Sequence, residues 1–144
     1  MLKNKDKGFT IIEVVLVLAI AGLIFLVVFL ALPALQRSQR DTARRQDVGN
    51  VISALQSYMS DNKNNMPTSA ASFSNYYGTL AQATTVSIAA ASTQATAVST
   101  TKAAATTSMI TIQPGMDCDA VVGARSAAVS IKLESSNTFY CQAV

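Results

Sequence analysis

The sequence predicts an α+β fold: a long N-terminal α-helix, membrane-spanning in its first half, with a small three-stranded antiparallel β-sheet packed on its second half. Three observations predict it. Residues 14–32 form a run of 19 without a charge or a polar side chain. Val48, Val51, Ile52, Leu55, Tyr58 and Met59 then recur at i, i+3, i+4 and i+7, the stripe of an amphipathic helix. The last third alternates apolar and polar residues in short runs bounded by turn formers, the pattern of half-buried strands. A length of 144 residues allows one small domain. The absence of histidine excludes imidazole-based triads and HExxH zinc sites. Eight scattered acidic residues offer little carboxylate chemistry, so neither catalysis nor a cofactor or metal is expected.

The apolar run comes first. As an α-helix its 19 residues extend about 28 Å, close to the roughly 30 Å hydrocarbon core of a bilayer. A domain this small cannot surround such a helix as a buried core element. A conventional secretory signal has a shorter apolar region followed by a small-residue cleavage site. Here the A-x-A nearest the run, Ala19-Ile20-Ala21, lies inside it rather than after it. A single membrane span fits best. Charge alone does not orient it, because Lys3, Lys5 and Lys7 precede the span and Arg37, Arg40, Arg44 and Arg45 follow it. The C-terminal portion carries two cysteines and a hydroxyl-rich stretch, which suits the oxidising side. The N-terminus is therefore placed inside and the domain outside.

Glu13 is the only charge between Lys7 and Arg37. A carboxylate at mid-membrane costs about 2.5–3.5 kcal/mol, less near an interface. Two readings stand. Glu13 is either a first-turn acid favoured by the helix dipole, or the partner of a cation absent from residues 14–36. Cleavage before Phe9 would create one, an α-ammonium one helical turn from Glu13 or within reach of a neighbouring copy's Glu.

Lys7-Gly8 followed by Phe9-Thr10-Ile11-Ile12-Glu13 and an apolar helix resembles the leader junction of type IV pilins. The resemblance covers about residues 1–35. It implies that residues 1–8 are a cleavable leader, that a prepilin peptidase cuts between Gly8 and Phe9, and that the new Phe9 amine is methylated. It implies that residues 9–35 form the transmembrane and filament-core helix, with Glu13 neutralising the Phe9 ammonium during assembly. The implied partners are other copies in a helical filament, other pilins, the peptidase, an assembly motor with its membrane platform, and the membrane before assembly. Nucleic acid enters only through filament-mediated uptake. Before assembly the chain would be a single-pass cytoplasmic-membrane protein, and after it part of an extracellular filament.

Gly22 and Pro33 weaken the first helical half, at about 1 and 3 kcal/mol relative to Ala. In the family the helix commonly loosens around such a pair; the alternative is a simple kink at the membrane exit. Residues 36–62 continue the helix. Its arginines could reach acidic groups of neighbouring subunits, nucleic acid or lipid headgroups. They could equally be satisfied locally by Arg37–Asp41, Asp41–Arg45 and Arg44–Asp47, pairs worth a few tenths of a kcal/mol each. Asp61-Asn62-Lys63-Asn64-Asn65-Met66-Pro67 is a strong helix stop.

Residues 63–107 read as a variable loop region, since 23 of the 30 residues from 79 to 108 are Ala, Ser or Thr. Phe73, Tyr76 and Tyr77 are expected to pack over the sheet, with an exposed adhesive patch as the alternative. The hydroxyls permit O-glycosylation without demonstrating it. Residues 108–144 should hold the sheet. Met109-Ile110-Thr111-Ile112-Gln113 ends at Pro114-Gly115, and Ala127-Ala128-Val129-Ser130-Ile131-Lys132-Leu133 forms a second strand. A turn at residues 134–137 then leads into Thr138-Phe139-Tyr140-Cys141. Cys118 and Cys141 allow one intramolecular disulfide, worth about 3 kcal/mol, or else two free thiols. In pilins such a bridge bounds a C-terminal loop. Asp117 and Asp119 make only a weak calcium case.

The expected function is that of a structural subunit of an extracellular type IV pilus-like filament serving attachment, surface motility or DNA uptake. The alternatives are a pseudopilin of a type II secretion system and, from another class, an unprocessed membrane-anchored binding domain. Pseudopilin heads often bind calcium and can lack a disulfide, so the cysteine pair and the scarcity of acids favour a pilin.

Overall fold

A computed structural model describes residues 8–89, 105–119 and 121–144. Most of the leader (residues 1–7) and the heart of the Ala/Ser/Thr tract (residues 90–104) therefore lie outside the described residues. The chain divides into two units, Met1–Gln36 and Arg37–Val144. Helix α1, Ile11–Asp61, contributes to both and is helical through Gly22 and Pro33.

In the first unit α1 is apolar on every side and exposed on every side. Ile11, Val17, Leu23, Phe25 and Leu30 are all more than half exposed. In the second unit α1 has a sharply defined buried stripe: Asp41, Arg44, Asp47, Val48, Val51, Ile52, Ala54, Leu55 and Met59. The apolar members of that stripe form a core with Phe73, Val86, Ile110, Ile112, Ala127, Val129 and Ile131.

Helix α1 ends where the turn formers begin. Asn62 N–H still reaches the Tyr58 carbonyl at 3.0 Å, and Asn64 N–H closes a wider turn to the Met59 carbonyl at 2.7 Å. Lys63 and Asn64 adopt left-handed φ values of 55° and 64°, which turn the chain out of the helix. A short helix follows, α2 (Ala70–Phe73), with Ser69 as its N-cap. It delivers Phe73 into the core, with the ring centroid 6.1 Å from that of Tyr58 in an edge-on arrangement. Tyr76 and Tyr77 pack against the same cluster.

Four strands are described: β1 (Thr85–Ile88), β2 (Met109–Met116), β3 (Val122–Lys132) and β4 (Phe139–Ala143). They lie in that order in one sheet. β2–β3 and β3–β4 are antiparallel, as expected. β1 pairs with β2 in parallel, with Val86 opposite Ile110 and Ile88 opposite Ile112. The sheet is thus mixed, and the expected three-stranded antiparallel sheet is corrected. The extra strand comes from the stretch read as a variable loop. Its two apolar residues, Val86 and Ile88, belong to the core cluster or pack against it, which stabilises extended structure amid otherwise uninformative Ala, Ser and Thr.

β2 also runs past its expected end at Pro114. A register irregularity between Pro114 and Met116, with Gly115 at φ 84°, lets the strand bend and pairing resume at Met116–Val122. Ile110 and Ile112 face the helix stripe, while Thr111 and Gln113 on the opposite face are also buried. The loop after β2 is tied to β4 by a disulfide between Cys118 and Cys141, whose Cα atoms are 5.9 Å apart.

Polar groups on the α1 stripe fasten the loops to the helix. The Asp47 carboxylate, 1% exposed, accepts from the N–H groups of Ala81 and Gln82 at 2.7 Å and of Ala83 at 2.9 Å, on the approach to β1. Asp41 accepts from Glu134 N–H and Ser135 N–H at 2.8 Å each, in the turn between β3 and β4. Arg44 donates to Asp41 at 2.8 Å, to Glu134 at 2.6 Å and to the Thr107 carbonyl at 2.8 Å. Arg40 donates to the other Glu134 oxygen at 2.9 Å. Arg45 instead lies over the Tyr140 ring, 5.3 Å from its centroid. Of the expected local pairs, Arg44–Asp47 gives way to Arg44–Asp41 on the same helix and Arg44–Glu134 in the sheet's own turn, and Arg40 reaches the same glutamate.

Burial is the largest influence on Asp41 and opposes its charge. The Ser135 side chain, the N–H groups of Glu134 and Ser135, and Arg44 together overcome it and hold the carboxyl well below the ordinary range. Arg44 and then Arg40 likewise lower Glu134. A carboxylate lowered in the folded state adds stability that is complete above its unfolded pKa and lost as pH falls through the folded value. With no histidine in the chain, thermal stability of the Arg37–Val144 unit should stay level from neutral pH to about pH 4 and fall below it. A loss between pH 5 and 7 would contradict this. Asp47→Ala strands three N–H donors and should lower stability by about 2–4 kcal/mol, read from the denaturant midpoint with the disulfide intact.

Candidate functional site: the N-terminal junction

Gly8, Phe9 and Thr10 precede α1, which starts at Ile11. Thr10 is the N-cap and Glu13 the third helical residue, and the two make a reciprocal capping box. The Glu13 carboxylate accepts from Thr10 N–H at 2.9 Å and from the Thr10 hydroxyl at 2.8 Å, both through Oε2. Glu13 N–H returns to Thr10 Oγ1 at 3.4 Å. Two donors thus meet one carboxylate oxygen at the positive end of the helix dipole. The first of the two readings of Glu13, a first-turn acid, describes this geometry.

Thr10 was not singled out from the sequence, although Thr-x-x-Glu ahead of an apolar run is a recognisable capping signal.

Phe9 is 88% exposed, and with Glu13, Val14, Val17 and Leu18 it borders an apolar cleft of about 330 Å³. Gly8 has no neighbour within 4 Å of the place a Cβ would take, and its φ is not left-handed. Nothing in the described fold requires glycine there. The other candidate residues, Cys118 and Cys141, are joined to each other in the second unit and form a separate, structural feature.

Among the described residues of the junction, Glu13 is the one acidic side chain, and its hydrogen-bond partners are the backbone and hydroxyl of Thr10. Chemically the arrangement offers an accessible peptide bond, a capped helix start and a continuous apolar surface.

Residues 3–29 match the family described as the prokaryotic N-terminal methylation motif, the class III signal peptide of type IV pilins and pseudopilins. This match indicates a type IV pilin-like or pseudopilin protein and implies processing by a prepilin peptidase and assembly into pilin-type filaments. It covers the junction and most of the apolar run, and none of the Arg37–Val144 unit. No curated protein and no solved structure matches the chain.

Thr10→Val removes the hydroxyl that joins both halves of the capping box. It should speed amide exchange in the first turn of α1 about fivefold, the effect of losing roughly 1 kcal/mol of cap. The melting of the Arg37–Val144 unit should not change. Hydrogen exchange of the chain in bilayer discs checks both.

Proposed function

We propose that the chain is the precursor of a structural subunit of an extracellular type IV pilus-like filament, serving attachment, surface motility or DNA uptake. The single observation that carries this reading is the apolar helix surface from Ile11 to Leu35, which is exposed on every side. Two environments satisfy such a surface in turn: lipid before assembly, and the same surface of neighbouring copies afterwards. The match to the methylation motif supports the step between them.

The leader holds Lys3, Lys5 and Lys7 against Asp6, so removing residues 1–8 discards two of the three net positive charges and leaves +1. Cleavage takes away the cations that tether the span at the inner surface. It also adds one cation, the Phe9 amine, beside a carboxylate whose Oε2 already serves Thr10. Oε1 is left to receive an ammonium from the same chain or the next. In this reading Glu13 is first a cap and then a docking charge, and the two roles use different oxygens. A peptidase sets the requirement for glycine at position 8, since the fold itself sets none. The N-terminus lies inside and the disulfide-bearing unit outside.

Mass spectrometry of native protein should find chains that start at Phe9 and carry one added methyl. An intact leader would favour an unprocessed membrane-anchored domain instead. Gly8→Val should abolish cleavage while leaving thermal unfolding of the Arg37–Val144 unit unchanged. Glu13→Ala should still be cleaved but yield few or no filaments, scored by electron microscopy of sheared cell surfaces with antibody to residues 36–144. Normal filaments from Glu13→Ala would overturn the charge-docking role. Absence of surface filaments from wild-type cells, with protein secretion lost on deletion, would point to a pseudopilin.

A further inference from the structure

Helical spacing offers Arg37 and Arg45 the same local partner, Asp41, and the structure gives it to neither. Asp41 accepts from the Arg44 guanidinium and from the N–H groups of Glu134 and Ser135. Asp47 is engaged by the N–H groups of Ala81, Gln82 and Ala83, and Glu134 by Arg40 and Arg44. Arg37 is exposed and has no hydrogen bond or ion pair among the described residues. Arg40 uses Nε on Glu134, at 2.9 Å, and its side chain remains 42% exposed. Arg45 is exposed and lies over the Tyr140 ring. The second unit thus begins with cations for which the neighbouring turns of α1 keep no carboxylate.

Their place along the chain decides which anion meets them. Leu35 is the last exposed large apolar residue of the first half of α1. Arg37 and Arg40 follow it by about 3 and 8 Å at the rise of a helix. The headgroup layer on each side of a bilayer is roughly 5–8 Å thick. A chain whose apolar run sits in hydrocarbon therefore carries Arg37 at the depth of the lipid phosphates, and the long Arg40 stem can bend back to the same depth. Arg45 lies about 12 Å beyond Arg37 and falls outside that layer. A guanidinium meets a phosphodiester with two parallel N–H donors, whereas a phosphatidylcholine headgroup brings its own cation.

We propose that Arg37 and the exposed end of Arg40 bind the phosphates of anionic phospholipids, forming a charged collar where the chain leaves the membrane. The proposal rests on the membrane-anchored stage of the function proposed above and does not need filament assembly. An arginine at a negatively charged bilayer surface gives about a fivefold preference for that surface. Such contact is screened by salt, unlike the apolar embedding of the residues before it. Arg37 and Arg40 then differ in role from Arg44, which is buried and holds the β3–β4 turn.

The test places the full chain, one copy per disc, in phosphatidylcholine discs holding about a tenth of phosphatidylglycerol. Each lipid in turn carries a spin label at headgroup level, and NMR reads the broadening of the Arg37 and Arg40 Nε–H signals. Phosphatidylglycerol should be enriched about fivefold over phosphatidylcholine at both, and the excess should vanish in about 1 M sodium chloride. Arg37→Gln should cut the excess about fivefold, read on the amides of residues 36–41, and Arg45→Gln should leave it unchanged. Equal broadening by the two lipids, or an excess that survives Arg37→Gln, would overturn the proposal. So would an excess lost equally in Arg45→Gln, the mark of diffuse charge. Signals of Arg37 and Arg40 that answer to a single-stranded oligonucleotide or to a second chain per disc, and not to phosphatidylglycerol, would overturn it as well. A label at the end of the acyl chain separates the two levels of failure. If it does not broaden residues 14–32, the membrane-anchored stage and the proposal fall together; if it does, and phosphatidylglycerol shows no excess, the proposal falls alone.

Discussion

The second unit depends on three charged residues placed on one face of α1 at helical spacing: Asp41, Arg44 and Asp47, each at most 4% exposed. None is paired only with its own helix. Asp47 gathers three loop N–H groups ahead of β1, Asp41 gathers two from the β3–β4 turn, and Arg44 binds Glu134 and the Thr107 carbonyl. Buried charges are expensive unless fully hydrogen-bonded, so these groups tolerate few other arrangements. Apolar packing from Val48 to Met59 supplies attraction without direction. The charged stripe supplies the register in which loops and sheet meet the helix.

Helix length, its stop and the later strands were legible because each is written in local periodicity or local turn chemistry. Val48, Val51, Leu55 and Met59 announce a buried face at a 3.6-residue spacing, and all four are buried. Residues 61–65 end the helix with turn formers, and the structure turns there. β1 was not legible, since four residues, Thr-Val-Ser-Ile, stand out little from an Ala/Ser/Thr background and their pairing depends on β2, more than twenty residues away. Parallel pairing has no hairpin signal to reveal it. Pro114 signals a strand end by ordinary rules, and only the irregularity at Gly115 explains why β2 continues.

At the junction, Gly8, Phe9 and Glu13 stand out in the sequence because their motif is written in a few adjacent residues, all within the stretch that matches the methylation motif. The partners of the arginines do not. Helical spacing offers Arg44 the neighbour Asp47, yet Asp47 is committed to loop amides and Arg44 reaches Glu134, ninety residues on. A sequence read along one helix face finds candidates for pairing; the topology decides among them. The capping box at Thr10 lies between these cases, since its signal was present and the more conspicuous carboxylate obscured it.

The parallel strand bears on the order in which the chain can mature. Asp41 and Asp47 lie on α1, but their hydrogen-bond donors lie at residues 81–83 and 134–135, and β1 has no partner until β2 arrives. An emerging chain can therefore satisfy Asp47 once residues 81–83 are available, whereas Asp41 and Arg44 lack their full set of partners until residues 134–135 follow. Pairings between segments this distant in sequence must close long loops before they are rewarded, which slows folding. Closure of the Cys118–Cys141 bridge belongs at the end of that sequence, because Cys141 lies on the strand that β3 must first receive. Oxidation then serves as a seal on a finished fold, and a chain truncated near its C-terminus would lack both the seal and the sheet edge that positions it.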